Sequence, residues 1–137
     1  MDRKIYNENM VRISTLLAGP FAAAYLMAEN YKTFGQAKRA RQTLLYGASA
    51  TIFIFGTLLV LPEKVVEKVP YFLLPVLFAI IAQFFMRKLQ TPEIETYLAE
   101  GGQKHSRWAV ARVSGLVLIG ELLAVAALVL GYFLFFE

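Results

Sequence analysis

The chain of 137 residues contains no cysteine, one histidine and one aspartate, and charged residues make up only 18% of it. Without cysteine there is no disulfide scaffold, no cysteine-ligated zinc site and no iron–sulfur cluster held by thiolates. One histidine, His105, and one aspartate, Asp2, cannot supply a Ser-His-Asp triad. The sequence also lacks a P-loop and a dinucleotide-binding motif. We therefore expect a protein that is not an enzyme and that holds no metal and no cofactor.

Apolar residues are correspondingly abundant, at 58% of the chain, against about 45 to 50% in soluble domains. The charges lie between four apolar stretches, a pattern that excludes disorder and predicts an integral membrane protein. A helix needs about 20 apolar residues to cross a hydrocarbon core of about 30 Å. We expect an all-α polytopic membrane protein, one domain over 1–137, with four transmembrane helices arranged as two hairpins. The predicted spans are 13–28, 44–61, 71–86 and 113–136.

The first stretch allows a second interpretation, because Gly19-Pro20 divides it into two short halves and it could be a re-entrant segment. With four spans, loops one and three hold nine of the 14 basic residues, which places these loops in the cytoplasm and both termini outside. With a re-entrant first segment, the N-terminus lies on the same side of the membrane as loops one and three, and that side holds 12 of the 14 basic residues. The side on which Tyr6 lies distinguishes the two. This asymmetry accounts for the net charge of +4, so we expect no nucleic-acid partner.

Glu121 is the only charge-capable side chain well inside a predicted span, roughly 12 Å beyond the start of that span at Val113 by helical rise. A carboxylate there costs several kcal/mol unless it is protonated, paired or hydrated, and we expect the neutral acid. Thr51 and Gly19-Pro20 count to a similar depth, and Gln83 is the only amide in the third span. Two roles for Glu121 remain open: an interhelical hydrogen bond that fixes packing, or the handling of protons or cations.

Small residues recur beside Glu121 on one face of the last helix. They are Gly120, Ala124, Ala127 and Gly131. The spacing i, i+4, i+7, i+11 lets another helix approach closely. The other helix could belong to the same chain or to a second subunit, so a homo-oligomer or another membrane protein partner is an expected alternative.

The basic residues of loops one and three are expected to bind the anionic headgroups of the lipid bilayer. The candidates are Lys38, Arg39, Arg41, Lys104, His105 and Arg107.

Loop three is also expected to contain a short interfacial helix, with Thr91 as its N-cap, Pro92 at its first position and Gly101 beyond its end. One side of this helix is apolar, through Ile94, Tyr97 and Leu98. That side could lie in the lipid boundary or pack on the neighbours of the loop.

Three segments, Gly-Pro-Phe-Ala-Ala-Ala-Tyr-Leu at 19–26, Glu-Asn-Tyr-Lys at 29–32 and Gly-Gly-Gln-Lys at 101–104, together with Gly35, carry a resemblance. In these residues the chain is similar to a group of small bacterial multi-span membrane proteins to which no activity is assigned. The resemblance implies a setting in the bacterial inner (cytoplasmic) membrane, and it transfers no role to any residue.

The sequence as a whole predicts a non-enzymatic structural or assembly subunit of a membrane complex. One alternative is a small oligomeric channel or transporter that handles protons or cations through Glu121, and another is a lipid-headgroup-binding protein. The assembly role is favoured because a pore needs several polar groups from more than one helix, and the spans offer only Glu121, Thr51 and Gln83.

Overall fold

The computed structural model of the chain describes residues 3–136. Helices make up 81% of it, which confirms the all-α class. In these residues the helices are α1 (Glu8–Ala18), α2 (Pro20–Thr33), α3 (Ala37–Val60), α4 (Glu63–Val66), α5 (Leu73–Leu89), α6 (Thr91–Ala99) and α7 (Arg107–Phe136). Two short strands, β1 (Lys4–Ile5) and β2 (Gln103–Lys104), pair in parallel.

Helices α1 and α2 form a hairpin that reverses at Gly19. The side chain of Asn7 accepts a hydrogen bond from the Met10 N–H and so caps the start of α1. Gly19, with φ 84° and ψ −169°, occupies a conformation open essentially to glycine alone, and Pro20 follows at the first position of α2. Tyr6, just before α1, is hydrogen-bonded to Asn30, near the end of α2. Residues 13–28 therefore do not form one continuous helix, a geometry that fits the re-entrant alternative better than a single span.

The N-terminal segment lies at the same end of the molecule as loops one and three. Lys4 is paired with Gln103 and Ile5 with Lys104, and the His105 N–H donates to the carbonyl of Ile5 at 2.8 Å. The N-terminal segment and loop three thus share one end of the molecule, as the alternative with a re-entrant first segment has it. Of the two arrangements drawn from the sequence, the structure has the one that gathers 12 of the 14 basic residues at one end.

Two helices, α3 and α7, are long and apolar enough to cross a membrane; α3 covers the predicted span 44–61 as far as Val60, and α7 contains the predicted span 113–136. The predicted span 71–86 corresponds to α5, which reaches that standard only together with α6, and α6 is bent from it by 59°. Two to three helices of residues 3–136 are thus apolar enough to span a membrane, and the expected four-span bundle of two hairpins is not confirmed. Instead, α3 packs on α2 while α5 and α7 pack on α1, so that the α1–α2 hairpin is the common centre.

The hydrophobic core lies at the end of the molecule that carries the loops. Its most buried members include Ile5, Val11, Leu26 and Met86, and Ile94 of α6 packs among them. The short helix of loop three is therefore present and turns its apolar side inward onto its neighbours. Thr91 is the first residue of α6 rather than its N-cap. The N-cap position is taken by Gln90, which is also the C-cap of α5 at the bend between the two helices.

At the other end of the molecule the long helices lose contact with one another. Beyond the level of Gly19, the large side chains of α7 are exposed to 70% at Leu128 and to 85% at Phe135. Leu59, near the end of α3, is 83% exposed. Only 6% of the most apolar 18-residue window of either helix is buried. Within residues 3–136, the hairpin fills one half of the space between the helices and leaves the other half open.

Candidate functional site

The carboxyl group of Glu121 lies at the tip of the α1–α2 hairpin. A Cβ atom built on Gly19 would lie 4.0 Å from Oε1 of Glu121. That oxygen is buried and has no hydrogen-bond partner among residues 3–136. The tip itself has free polar groups, since Pro20 has no N–H to donate to the Leu16 carbonyl and the first N–H groups of α2 lack partners within the helix. The one acid inside α7 therefore faces an interrupted backbone.

A row of polar side chains leads from Glu121 toward the end of the molecule that carries the loops. Ser114 lies seven residues before Glu121 and hence on the same face of α7, roughly 10 Å away along the axis. Its hydroxyl is 2.8 Å from the hydroxyl of Ser14 on α1, and both serines are buried. Thr15, beside Ser14, donates to the carbonyl of Val11 at 2.6 Å. The contact between α1 and α7 thus includes a buried pair of hydroxyl groups.

An open cleft of about 380 Å³ lies beside Glu121, between α2 and α7. Phe21 and Tyr25 of α2 form one wall, and Val117, Gly120 and Glu121 of α7 are part of the other. The carboxyl group is thus covered by the hairpin tip on one side and lies next to a cavity on the other. This arrangement can hold a proton or bind a small cation with the help of the free backbone carbonyls.

The other two intramembrane polar candidates do not join Glu121. The hydroxyl of Thr51 donates to the Gly47 carbonyl of its own helix at 2.8 Å. Gln83 donates to the carboxylate of Glu8 at 2.6 Å, and Arg87 donates to the same oxygen at 2.7 Å. Gln83 consequently ties α5 to the start of α1, a full hairpin length away from Gly19.

The stripe of small residues on α7 makes little contact within the chain. Nothing described lies within 4 Å of a Cβ atom built on Gly120 or on Gly131, and Ala124 and Ala127 are exposed. Close packing of small residues occurs instead between α2 and α3, where a Cβ atom on Gly47 would overlap the Cβ of Ala24. Within residues 3–136 the stripe on α7 is thus left without a close helix neighbour.

The headgroup candidates fall into two groups. Lys38, Arg39 and Arg41 at the start of α3 are exposed, as are Lys104 and Arg107. All lie at the end of the molecule that carries the loops, so they form one basic surface.

His105 differs from the other headgroup candidates because its ring is packed. The imidazole stacks on the ring of Tyr6 with 4.0 Å between centroids. Burial lowers the pKa of His105 below its ordinary value of 6.5, and the nearby charge of Lys4 lowers it further. His105 is thus partly buried and stacked, unlike the five exposed basic candidates.

A buried polar cluster of Tyr6, Asn30 and Gln90 was not found by sequence reasoning. The amide of Asn30 accepts the Tyr6 N–H at 2.7 Å and donates to the Tyr6 carbonyl at 2.8 Å and to Oε1 of Gln90 at 2.9 Å. Gln90 in turn donates to the carbonyl of Met27 at 2.8 Å. Each amide follows an apolar stretch beside a basic residue, so the sequence alone assigns both to the lipid–water interface and gives no sign of their pairing. The Ser14–Ser114 contact was also missed, although Ser114 shares a helix face with Glu121.

No group of three or more His, Asp or Glu side chains converges as a metal-ligand set within residues 3–136. Comparison of the chain with protein-family models, with curated proteins and with solved structures found no match. The chemistry of the hairpin tip and the exposed surfaces is therefore what bears on function.

Proposed function

We propose that this protein is a subunit of a bacterial inner-membrane assembly and that it acts by binding a helix of another chain rather than by catalysis. The supporting observation is the far half of α7, whose large apolar side chains are 50 to 85% exposed from Leu122 to Phe136. Its own chain fixes α7 only through the hairpin, which ends at the level of Glu121. A second chain would supply the missing contacts.

The stripe of Gly120, Ala124, Ala127 and Gly131 is the proposed contact surface. In a bilayer, lipid tails are as apolar as leucine, so helices associate through close van der Waals packing and hydrogen bonds, and small residues allow their backbones to approach. Gly120 and Gly131 have open space where a side chain would be, which suits the approach of another helix.

The proposed topology has three crossings, α3, α5 and α7, with the α1–α2 hairpin entering from the cytoplasmic side and returning to it. The N-terminal segment and loops one and three are then cytoplasmic, together with 12 of the 14 basic residues, as the positive-inside rule requires. The C-terminus and the connector around α4 are outside. Lys38, Arg39, Arg41, Lys104 and Arg107 would meet anionic headgroups on the cytoplasmic surface.

Single cysteines test the contact directly, because the chain has none of its own. We expect Ala127→Cys, labelled in native membranes with a photoreactive maleimide, to give a cross-linked product of defined higher mass. Val129→Cys is the matched control, since it lies on the same stretch of α7 and about 180° away from the stripe by helical geometry. Absence of a product from Ala127→Cys, or equal yields from the two variants, would contradict the assembly proposal.

A second candidate function, proton or cation handling at Glu121, is favoured by the hairpin tip. Broken helices within a membrane are tolerated where they are covered by protein or line a water-filled cavity, and their free backbone groups commonly bind ions. Here an interrupted backbone, a carboxyl oxygen without a partner and an adjacent cleft meet at one level. The buried Ser14–Ser114 pair would form part of a path from the cytoplasmic side, and the exposed far half of α7 suggests that another chain completes the path.

The matched variants for this candidate are Glu121→Gln, which keeps the side chain's size, and Glu67→Gln in the exposed connector. We expect Glu121→Gln to abolish proton or cation flux in reconstituted vesicles while cross-linking through Ala127→Cys persists, and Glu67→Gln to change neither. Flux that is unaffected by Glu121→Gln would exclude ion handling and leave the assembly role standing.

A further inference from the structure

A long apolar groove of about 400 Å³ runs between α3 and α5, and α2 forms its floor. Ala23 and Ala24 line the floor, and Ala50 and Phe85 belong to the two walls. The groove exists because α3 packs on α2 while α5 packs on α1. Within residues 3–136, α3 and α5 therefore pack against the hairpin rather than against each other. The groove is separate from Glu121 and from the stripe on α7.

The length of the groove matches one leaflet of a bilayer. Its lining on α3 runs from Thr43 to Ile54, which spans about 16 Å at the rise of an α-helix. The hydrocarbon core is about 30 Å thick, so the groove extends from the basic end of the molecule to about the middle of the membrane. One acyl chain of a lipid in the cytoplasmic leaflet covers the same distance.

Positive charge lies at one end of the groove. On α3 the lining face continues from Thr43 to Arg39, one turn earlier, and on α5 Lys88 directly precedes Leu89, the last lining residue of that helix. Both cations are exposed. The acid nearest in sequence to Lys88, Glu93, is engaged by the amide of Gln36 at 3.0 Å. Tyr46 also lines the groove, about one turn beyond Thr43 along α3.

We propose that the groove is a binding site for an anionic glycerophospholipid, with one acyl chain between α3 and α5 and the phosphate against Arg39 and Lys88. The apolar lining excludes a polar ligand, and the cations at the mouth select a negatively charged headgroup. The bound lipid fills the space between two helices that the chain itself leaves unfilled, and so fixes the angle between them.

The test is native mass spectrometry of the detergent-purified protein with added palmitoyl-oleoyl phosphatidylglycerol or phosphatidylcholine, which have the same acyl chains and differ in headgroup charge. We expect tight retention of one phosphatidylglycerol. Because each basic residue near the surface contributes roughly fivefold in affinity, Arg39→Gln with Lys88→Gln should weaken phosphatidylglycerol binding about 30-fold. The control pair is Lys64→Gln with Lys68→Gln, which removes the same charge from the connector and should leave binding unchanged.

A second pair of variants tests the groove itself. Ala50→Phe places an aromatic ring in the groove from an exposed position and should reduce retention of both lipids, whereas Ala126→Phe on the exposed face of α7 should not. Equal retention of the two lipids by the unmodified protein would overturn the proposal, as would equal binding by the two charge-matched pairs. If Ala50→Phe does not fold, the charge pairs decide alone, because all four of their side chains are exposed.

Discussion

At the scale of single residues, the buried Asn30 amide connects parts of the chain that are distant in sequence. It joins the backbone before α1 to the end of α2 and to Gln90 at the bend between α5 and α6. All of these atoms are buried, so a lost partner leaves an unsatisfied polar group at a cost of about 1 to 3 kcal/mol. This cluster connects the N-terminal segment, the hairpin and the third loop.

Replacing Asn30 with alanine removes three hydrogen bonds and leaves groups of Tyr6 and Gln90 unpaired. We expect Asn30→Ala to lower the free energy of unfolding in detergent by about 3 kcal/mol or more. Asn9→Ala is the control, because Asn9 is exposed and makes no side-chain hydrogen bond within residues 3–136; it should stay within about 0.5 kcal/mol of the unmodified protein. If both substitutions changed the free energy of unfolding by a similarly small amount, the Asn30 hydrogen bonds would not be what holds the N-terminal segment, the hairpin and the third loop together.

Because of His105, the stability of the fold is expected to decrease as the pH falls. Burial, and then Lys4, lowers its pKa below the ordinary 6.5, so the unfolded chain takes up the proton more readily than the folded one. The stability associated with the neutral ring is complete above pH 6.5 and declines as the pH falls below that value toward the folded pKa. We expect the Tm in detergent to fall between about pH 7.5 and pH 5.5.

His105→Phe keeps a ring to stack on Tyr6 and removes the titrating group. The fall in Tm over the same interval should be smaller in this variant. The remaining titratable groups contribute equally to the pH dependence of both proteins. Since the chain has one histidine, no second imidazole complicates the comparison. An identical pH dependence in the two proteins would mean that His105 titrates as it does in the unfolded chain.

At the scale of elements, the packing of α3 on α2 includes one especially close approach. Gly47 and Ala24 bring the two helices together, and a Cβ atom on Gly47 would overlap that of Ala24. Overpacking of a tight contact costs about 1 to 3 kcal/mol. Since α3 touches the rest of the chain mainly through α2, this contact sets the position of one wall of the lipid groove.

Two glycines of the same helix provide a matched comparison. Gly47→Ala should lower the free energy of unfolding by about 1 to 3 kcal/mol, while Gly56→Ala, where the described residues leave open space, should leave it unchanged or raise it by up to about 1 kcal/mol through helix propensity. Denaturant unfolding followed by circular dichroism measures both. A stable Gly47→Ala variant would show that α3 is free to shift on α2.

At the scale of the whole molecule, the hairpin makes one half of the protein compact and leaves the other half open. The core, the strand pair and the amide cluster all lie at the end that carries the loops, whereas α3 and α7 continue past Gly19 with little contact. An asymmetric body of this kind suits a protein anchored at one membrane surface that engages lipid and a second chain within the bilayer.

Cysteine labelling in sealed inner-membrane vesicles tests the proposed topology. Lys4→Cys and Glu100→Cys should react with a membrane-impermeant maleimide from the same side, and Glu67→Cys and Phe135→Cys should react from the opposite side. Reaction of Lys4→Cys together with Glu67→Cys would contradict the arrangement of three crossings with a cytoplasmic hairpin, whatever the function of the protein.

The sequence by itself determined the chemical class of this protein, since clustered apolar residues leave few solutions other than helices in a membrane. It also predicted the helix in loop three, from the local signals of Pro92 and Gly101, and the isolation of Glu121 from other charges. These are properties of short segments, and segment composition is sufficient to find them.

Only the tertiary structure decided what Gly19-Pro20 does, because a break between two short apolar halves allows either a kinked span or a reversal. The choice depends on contacts distant in sequence, between Tyr6 and Asn30 and between Lys4 and Gln103, that no local pattern encodes. The same reversal brings Gly19 against Glu121 and leaves the stripe on α7 uncovered. Long-range hydrogen bonding thus fixes the reversal at Gly19 in a chain whose hydropathy fits either a kinked span or a reversal.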